Sequence, residues 1–139
     1  MPWMIYAFIS AAGAALTAIL AKIGVEGVPS TLATAFRTLV VCVFAWFMVL
    51  GLGEHRALAT LSRRSLTYLT LSGLATGASW LACFRALQLG PASRVAPIDK
   101  LSLPLTIVLA ALWLGEAISW KTALGVGLMV VGALLTLAK

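Results

Sequence analysis

The chain has 139 residues, of which 62% are hydrophobic and 10% charged, and its mean hydropathy is +1.07. Soluble domains carry about 25% charged residues, so this composition excludes a water-soluble globule standing alone. The net charge is +6, but the ten Lys and Arg residues form no basic tract, which excludes a nucleic-acid surface. One histidine and two cysteines leave no ligand set for structural zinc and no histidine-dependent catalytic triad.

Five long apolar stretches predict five transmembrane helices, which in chain order are 3–21, 32–50, 66–87, 95–114 and 121–138. Each has close to the ~20 residues that cross the hydrocarbon layer, where a backbone must satisfy its own hydrogen bonds as a helix. No run alternates polar and apolar residues, so barrel strands are not expected. The first stretch has no basic residue before Lys22, so we expect a retained helix instead of a signal peptide. Residues 54–65 predict a short helix lying in the membrane interface.

These spans are expected to form a single all-α integral membrane domain over residues 1–139, with its termini on opposite sides. We name the N-terminal side A and the other side B. The basic residues divide almost equally: side A has Arg56, Arg63, Arg64 and Lys121, while side B has Lys22, Arg94 and Lys139, with Arg37, Arg85 and Lys100 deeper in their helices. Because an excess of Lys and Arg normally marks the cytoplasmic side, this weak bias suggests insertion in both orientations.

Charged residues inside the apolar stretches are the first candidate functional residues, because a charge in a bilayer is costly and normally faces a bundle interior or a wet cavity. Arg37 lies about two turns into the second span, and Arg85, Asp99 and Lys100 lie near the side B ends of the third and fourth. In a substrate or proton path, Asp99 would be the protonatable acid and the bases would bind anionic groups. The alternative is that these charges only orient the helices and reach toward the interface.

Trp80 completes the candidate site, since it lies well inside the third span and, with Phe84, forms a candidate aromatic wall for a substrate. Plain packing is the alternative. Arg85 and Asp99 flank a short turn, which favours a salt bridge between neighbouring helices. Asp99 and Lys100 point about 100° apart on a helix, so we expect one to face a cavity and the other to extend toward side B.

Prolines and small residues suggest how the spans bend and pack. Pro97 and Pro104 each remove a backbone donor from the fourth span and are expected to bend it. The third span has a GxxxG motif at Gly73 and Gly77, and the fifth has a stripe of small residues. Small residues let helices approach closely, either within one subunit or against a second subunit.

Two segments resemble a known family. The first is WLACFRALQLGPASRVAP at 80–97, and the second is LWLGEAISW at 112–120, followed by a Gly-rich last helix. The pair Phe36–Arg37 also fits the pattern. Together they are similar to the EamA domain of the drug/metabolite transporter superfamily over nearly the whole chain, and APIDKLS at 96–102 resembles short single-repeat members.

The resemblance implies a missing half, because most such proteins have two five-helix repeats with the substrate between inverted halves. This chain matches one repeat, so we expect an antiparallel homodimer or a paralogous subunit as its partner. Two copies in opposite orientation would recreate the inverted repeat that alternating access uses.

The sequence thus predicts a transporter subunit that moves a small metabolite or drug-like molecule across the cytoplasmic (inner) membrane, with proton coupling as a further hypothesis. Membrane lipids and the small-molecule substrate are the other expected partners, and no cofactor, metal or nucleic acid is expected. The alternative is a non-transporting assembly subunit or a flippase-like, lipid-handling one. An enzyme is not expected, since the chain has no GxSxG motif, metal-ligand set or paired carboxylates.

Overall fold

The helices of the computed structural model follow the apolar stretches of the sequence. The structure describes residues 2–137, and over this range it is all-α without strands, which confirms the predicted class. The last predicted span, 121–138, ends at Ala138, which lies outside the described residues. The helices are α1 (Pro2–Gly24), α2 (Ser30–Gly51), α3 (Arg63–Leu89), α4 (Ala92–Asp99), α5 (Ser102–Leu114) and α6 (Trp120–Leu135), and a 3-10 helix, Glu54–Thr60, lies between α2 and α3.

Apolar helix surfaces identify the protein as an integral membrane protein. Among the described residues, three segments are long and apolar enough to cross a membrane: Trp3–Gly24, Ser30–Gly51 and Ala92–Leu114, the last of which includes both α4 and α5. Phe8 on α1 is 74% exposed and Phe44 on α2 is 64% exposed. Water disfavours such surfaces, whereas lipid tails accept them.

The fourth predicted span, 95–114, is interrupted in the structure, where α4 ends at Asp99 and α5 begins at Ser102. Pro104 explains the position of the interruption. It has no N–H to donate to the carbonyl of Lys100 four residues earlier, and its ring crowds that same carbonyl. The predicted bend is therefore a break in the helix about one turn before Pro104.

Shorter hydrogen bonds satisfy the backbone across this break. The carbonyl of Lys100 accepts from the N–H of Leu103 at 3.0 Å, and the carbonyl of Ile98 accepts from the N–H of Leu101 at 2.9 Å. Both bonds span three residues, so the chain tightens locally to 3-10 geometry. Pro97, by contrast, lies inside α4 without ending it.

The chain packs as two compact units, and each is described by itself. Unit 1 contains the described residues of Met1–Ile19 and Leu89–Lys139, and unit 2 is Leu20–Gln88. In unit 1, α6 contacts both α4 and α5, and Ala133 on α6 is buried. Ser119 caps α6, because its hydroxyl accepts from the N–H of Thr122 at 3.1 Å.

Unit 2 has a small buried core where the end of α1, the start of α2 and the end of α3 converge. Its buried residues are Val25, Thr34, Phe84 and Leu87. The Thr34 hydroxyl donates to the carbonyl of Ser30 at 2.8 Å, so this buried polar group is satisfied within its own helix.

Two polar side chains tie this end of unit 2 together. The Lys22 ammonium donates to the carbonyl of Leu87 at 2.6 Å. The side-chain amide of Gln88 donates to the carbonyls of Val28 at 2.5 Å and Val25 at 3.4 Å in the α1–α2 connection. The last turn of α3 is therefore bonded to the segment that joins α1 to α2.

We expect Gln88→Met to lower the stability of the purified protein by about 1–3 kcal/mol, because the two carbonyls of the connection lose their donor at similar side-chain volume. Thermal unfolding in detergent, followed by tryptophan fluorescence, would measure this as a lower Tm. The matched control is Thr76→Val, which removes an exposed hydroxyl that bonds only within α3. Equal Tm values for the two variants would contradict the proposed tie.

Candidate functional site

Arg37 and Trp80, which the sequence singled out separately, meet in unit 2. Arg37 lies on α2, one turn after the buried Thr34, and its side chain is half-buried. Its guanidinium carbon lies 4.2 Å from the ring centroid of Trp80 and 5.4 Å from that of Phe84. The two rings lie one turn apart on α3, so they form an aromatic surface that faces α2 at this level.

The aromatic rings offset only part of the cost of placing this cation among apolar helices. A cation over an aromatic face gains about 0.5–2 kcal/mol, with the upper end reached when the pair is desolvated. An arginine at the centre of a membrane helix costs about 2.5–3.5 kcal/mol on insertion scales. Among the described residues no carboxylate lies within 4.0 Å of the Arg37 guanidinium, so no protein acid neutralises it there.

Arg85 takes part in the polar tie at the end of unit 2. Its side chain is exposed, and its guanidinium donates to the side-chain oxygen of Gln88 at 3.1 Å, one turn along α3. This bond uses the oxygen of Gln88 while the nitrogen of Gln88 donates to the α1–α2 connection. Arg85 therefore orients Gln88. The predicted salt bridge of Arg85 with Asp99 joins residues of different units and stays a prediction.

Asp99 and Lys100 lie at the helix break in unit 1 and pair with each other. The Lys100 ammonium lies 3.6 Å from a carboxylate oxygen of Asp99, and both side chains are exposed. The contact forms within helical geometry, because Lys100 keeps right-handed helical dihedral angles and its N–H still donates to the carbonyl of Ala96 at 3.2 Å. The expectation that one of them faces a cavity while the other extends toward side B stays a prediction.

Sequence reasoning missed the residues that join the helix ends. Gln88 gave a usable signal, because it is the chain's one glutamine and lies just before the Gly90–Pro91 helix stop. Thr34, which is buried near these helix ends but bonds only within α2, gave no signal, since membrane helices commonly contain threonines that bond to their own backbone. The part of the chain that the structure describes has no cluster of three or more His, Cys, Asp or Glu residues that could hold a metal ion.

Comparison with known proteins agrees with these features. A family model described as "EamA-like transporter family" matches residues 1–138. A protein of Sinorhizobium sp named "Uncharacterized transporter in cobO 3'region" is 48% identical over 134 residues, which are 96% of this chain and 94% of that relative. No solved structure matches the chain. Since the family match and the relative both extend over almost the full length, the resemblance predicted from the sequence is confirmed, and the chain belongs to the EamA-like transporter family as a short, single-domain member.

Proposed function

We propose that this protein is one subunit of a small-molecule transporter of the cytoplasmic membrane, with its substrate contacts around Arg37 and Trp80. Family membership and the transporter name of the relative support the class of function. The observation that carries the proposal is the half-buried Arg37 guanidinium, which lies on aromatic rings without an acidic partner among the described residues. An ionisable group in such a place is by default a candidate contact for a transported molecule.

The proposal includes five membrane crossings. If α1 and α2 each cross, the α1–α2 connection lies on side B and α2 returns the chain to side A. The end of α3 is hydrogen-bonded to that same connection through Gln88, so α3 has to cross back. With 27 residues, α3 is about 40 Å long, which is enough for the crossing although it has six Ser and Thr residues. The α4–α5 segment and α6 supply the remaining two crossings.

A second copy in the opposite orientation completes the proposed conduit, and a paralogous subunit is the other partner considered. The glycines of the third and fifth spans support an additional partner. A Cβ added at Gly73, Gly77, Gly125, Gly127 or Gly132 would meet nothing within 4 Å among the described residues, beyond each helix's own nearby backbone. These small-residue faces therefore leave room for a close helix approach.

Reconstituted protein should take up solute into liposomes, and Arg37→Gln should reduce the initial rate at least tenfold. The reason is that glutamine removes the charge and most of the donors that contact the substrate. Uptake is measured with radiolabelled amino acids, nucleobases and cationic drugs, against protein-free liposomes.

The matched control for this uptake assay is Arg64→Gln. Arg64 also lies over an aromatic ring, with 5.9 Å to the centroid of Tyr68, but it is exposed in the first turn of α3. We expect this variant to retain the wild-type rate. The alternative function, a non-transporting assembly or lipid-handling subunit, predicts no solute uptake by the wild type and normal behaviour of Arg37→Gln and Asp99→Asn.

Proton coupling is proposed through Asp99, the one acid inside an apolar span. Asp99→Asn should abolish the stimulation of uptake by an imposed proton gradient while leaving downhill uptake or exchange measurable, because asparagine cannot carry the proton. The comparison is between liposomes with and without the gradient. Equal stimulation in the variant and the wild type would show that Asp99 does not couple transport to protons.

An antiparallel homodimer requires both orientations of one chain in one membrane. Protease-removable tags placed separately at each terminus should therefore each be cleaved from both faces, in intact and in permeabilised cells, at comparable fractions. A tag that is cleaved from one face only would exclude the antiparallel homodimer and leave a partner of the opposite orientation encoded elsewhere.

A further inference from the structure

The direction of the Arg37 side chain separates it from an arginine that simply reaches the membrane surface. Helix α2 begins at Ser30, so the Cα atom of Arg37 lies about 10 Å along the helix from that end. Long side chains lean toward the N-terminus of their helix, and arginines near an interface extend toward water. The guanidinium of Arg37 is instead nearer to Trp80, at 4.2 Å, than to Phe84, at 5.4 Å. Phe84 is closer to the end of α3, so the guanidinium lies nearer to the ring of the residue that is farther from that end.

Contact with the Trp80 ring, whose centroid lies 4.2 Å from the guanidinium carbon, gives the N–H donors of Arg37 no oxygen or nitrogen acceptor. The five N–H donors of an arginine lie in the plane of the group, and they form a fork that matches two oxygens of one carboxylate or phosphate. No acceptor for these donors occurs among the described residues, where the recorded contacts of Arg37 are the two aromatic rings. The unused edges are therefore suited to an oxyanion.

Charges near this end of unit 2 favour the same class of ligand. Lys22 and Arg85 are the other charged residues within its converging helix segments, and both are basic. Unit 2 has two acids, Glu26 in the α1–α2 connection and Glu54 at the start of the 3-10 helix, and neither lies within 4.0 Å of Arg37. Basic groups in a setting of low dielectric attract anions and repel cations.

We infer that Arg37, supported by Trp80 and Phe84, binds the carboxylate or phosphate group of a small organic anion, which makes organic anions the substrate class of the proposed transporter. The inference rests on the proposed function and adds the chemistry of the transported molecule. Trp80 is a positioning residue for the guanidinium and a wall beside the ligand. The oxyanion accepts from the edge of Arg37, and no covalent step is involved.

Fluorescence of Trp80 provides a direct assay of this binding, because an anion on the Arg37 edge changes the charge beside the indole. Purified full-length protein in phosphatidylcholine nanodiscs is titrated with benzoate, isobutyrate and inorganic phosphate, and with benzamide and benzylamine as neutral and cationic counterparts of benzoate. We expect a saturable change for at least one anion, and affinities at least tenfold weaker for benzamide and benzylamine. In Trp80→Phe the change should disappear from the spectrum.

Variants of Arg37 test whether this residue contacts the bound anion. Arg37→Gln should weaken anion binding at least tenfold, and Arg37→Lys should give an intermediate loss, because lysine keeps the charge without the planar fork. Arg64→Gln should bind within twofold of the wild type. Equal binding by Arg37→Gln and the wild type, equal binding of benzamide and benzoate, or no saturable change with any anion would each overturn the inference.

Two further measurements identify the source of the anion and separate this inference from the transport proposal. In phosphatidylglycerol nanodiscs without added anion, Trp80 fluorescence is compared between the wild type and Arg37→Gln. If it changes only in the wild type, while dissolved anions cause no change, the ligand is a lipid headgroup. That result would overturn the assignment to a transported anion. Anion binding without any uptake would overturn the proposed transport function but retain the anion site at Arg37. Uptake of cations that is unaffected by Arg37→Gln would retain the proposed transport function but overturn organic anions as its substrate class.

Discussion

A guanidinium among apolar helices needs solvation from something other than bulk water, and unit 2 supplies two aromatic faces for it. The contact of Arg37 with Trp80 and Phe84 is the physical feature on which the functional interpretation depends. The quadrupole of an aromatic ring attracts a cation without neutralising it. The contact therefore leaves the in-plane N–H donors of the arginine for another group.

This contact depends on the register between α2 and α3. Rotation of α3 by one residue would turn its side chains by about 100° and move the Trp80 ring away from Arg37. The polar tie at the end of unit 2 opposes such a shift, because Gln88 is bonded to the α1–α2 connection and Lys22 to the carbonyl of Leu87. Buried Val25 and Leu87 fill the space between these bonds. The hydrogen bonds at the end of α3 thereby fix the position of Trp80, and so its contact with Arg37, about two turns away.

Composition and hydropathy were sufficient to predict the all-α membrane class, because lipid leaves a backbone few ways to satisfy its hydrogen bonds. The same argument selected Arg37 and Trp80, since an ion and a polar aromatic are unusual at their positions. A hydropathy pattern does not tell which residues of two neighbouring helices lie opposite each other, so the contact between Arg37 and Trp80 could not be predicted. The hydrogen bonds of Gln88 could not be predicted either, because a glutamine bonded to backbone carbonyls gives no periodic pattern in the sequence.

The fourth span illustrates a different limit. Prolines predict a weakened helix, but whether a bend or a break follows depends on how the freed carbonyl finds a new donor. At Lys100 the donor is Leu103, three residues on, while α4 passes through Pro97 without ending.

The missing N–H of Pro104 makes the junction of α4 and α5 easier to bend than an uninterrupted α-helix. Lys100 and Leu101, between the two helices, keep right-handed helical dihedral angles but bond in the tighter 3-10 pattern. Asp99 is the last residue of α4 and Lys100 follows it, so their ion pair, with 3.6 Å between the charged atoms, lies at this weaker point of the span. A bend of the span at this point would therefore lie beside Asp99, the one acid inside an apolar stretch of the sequence.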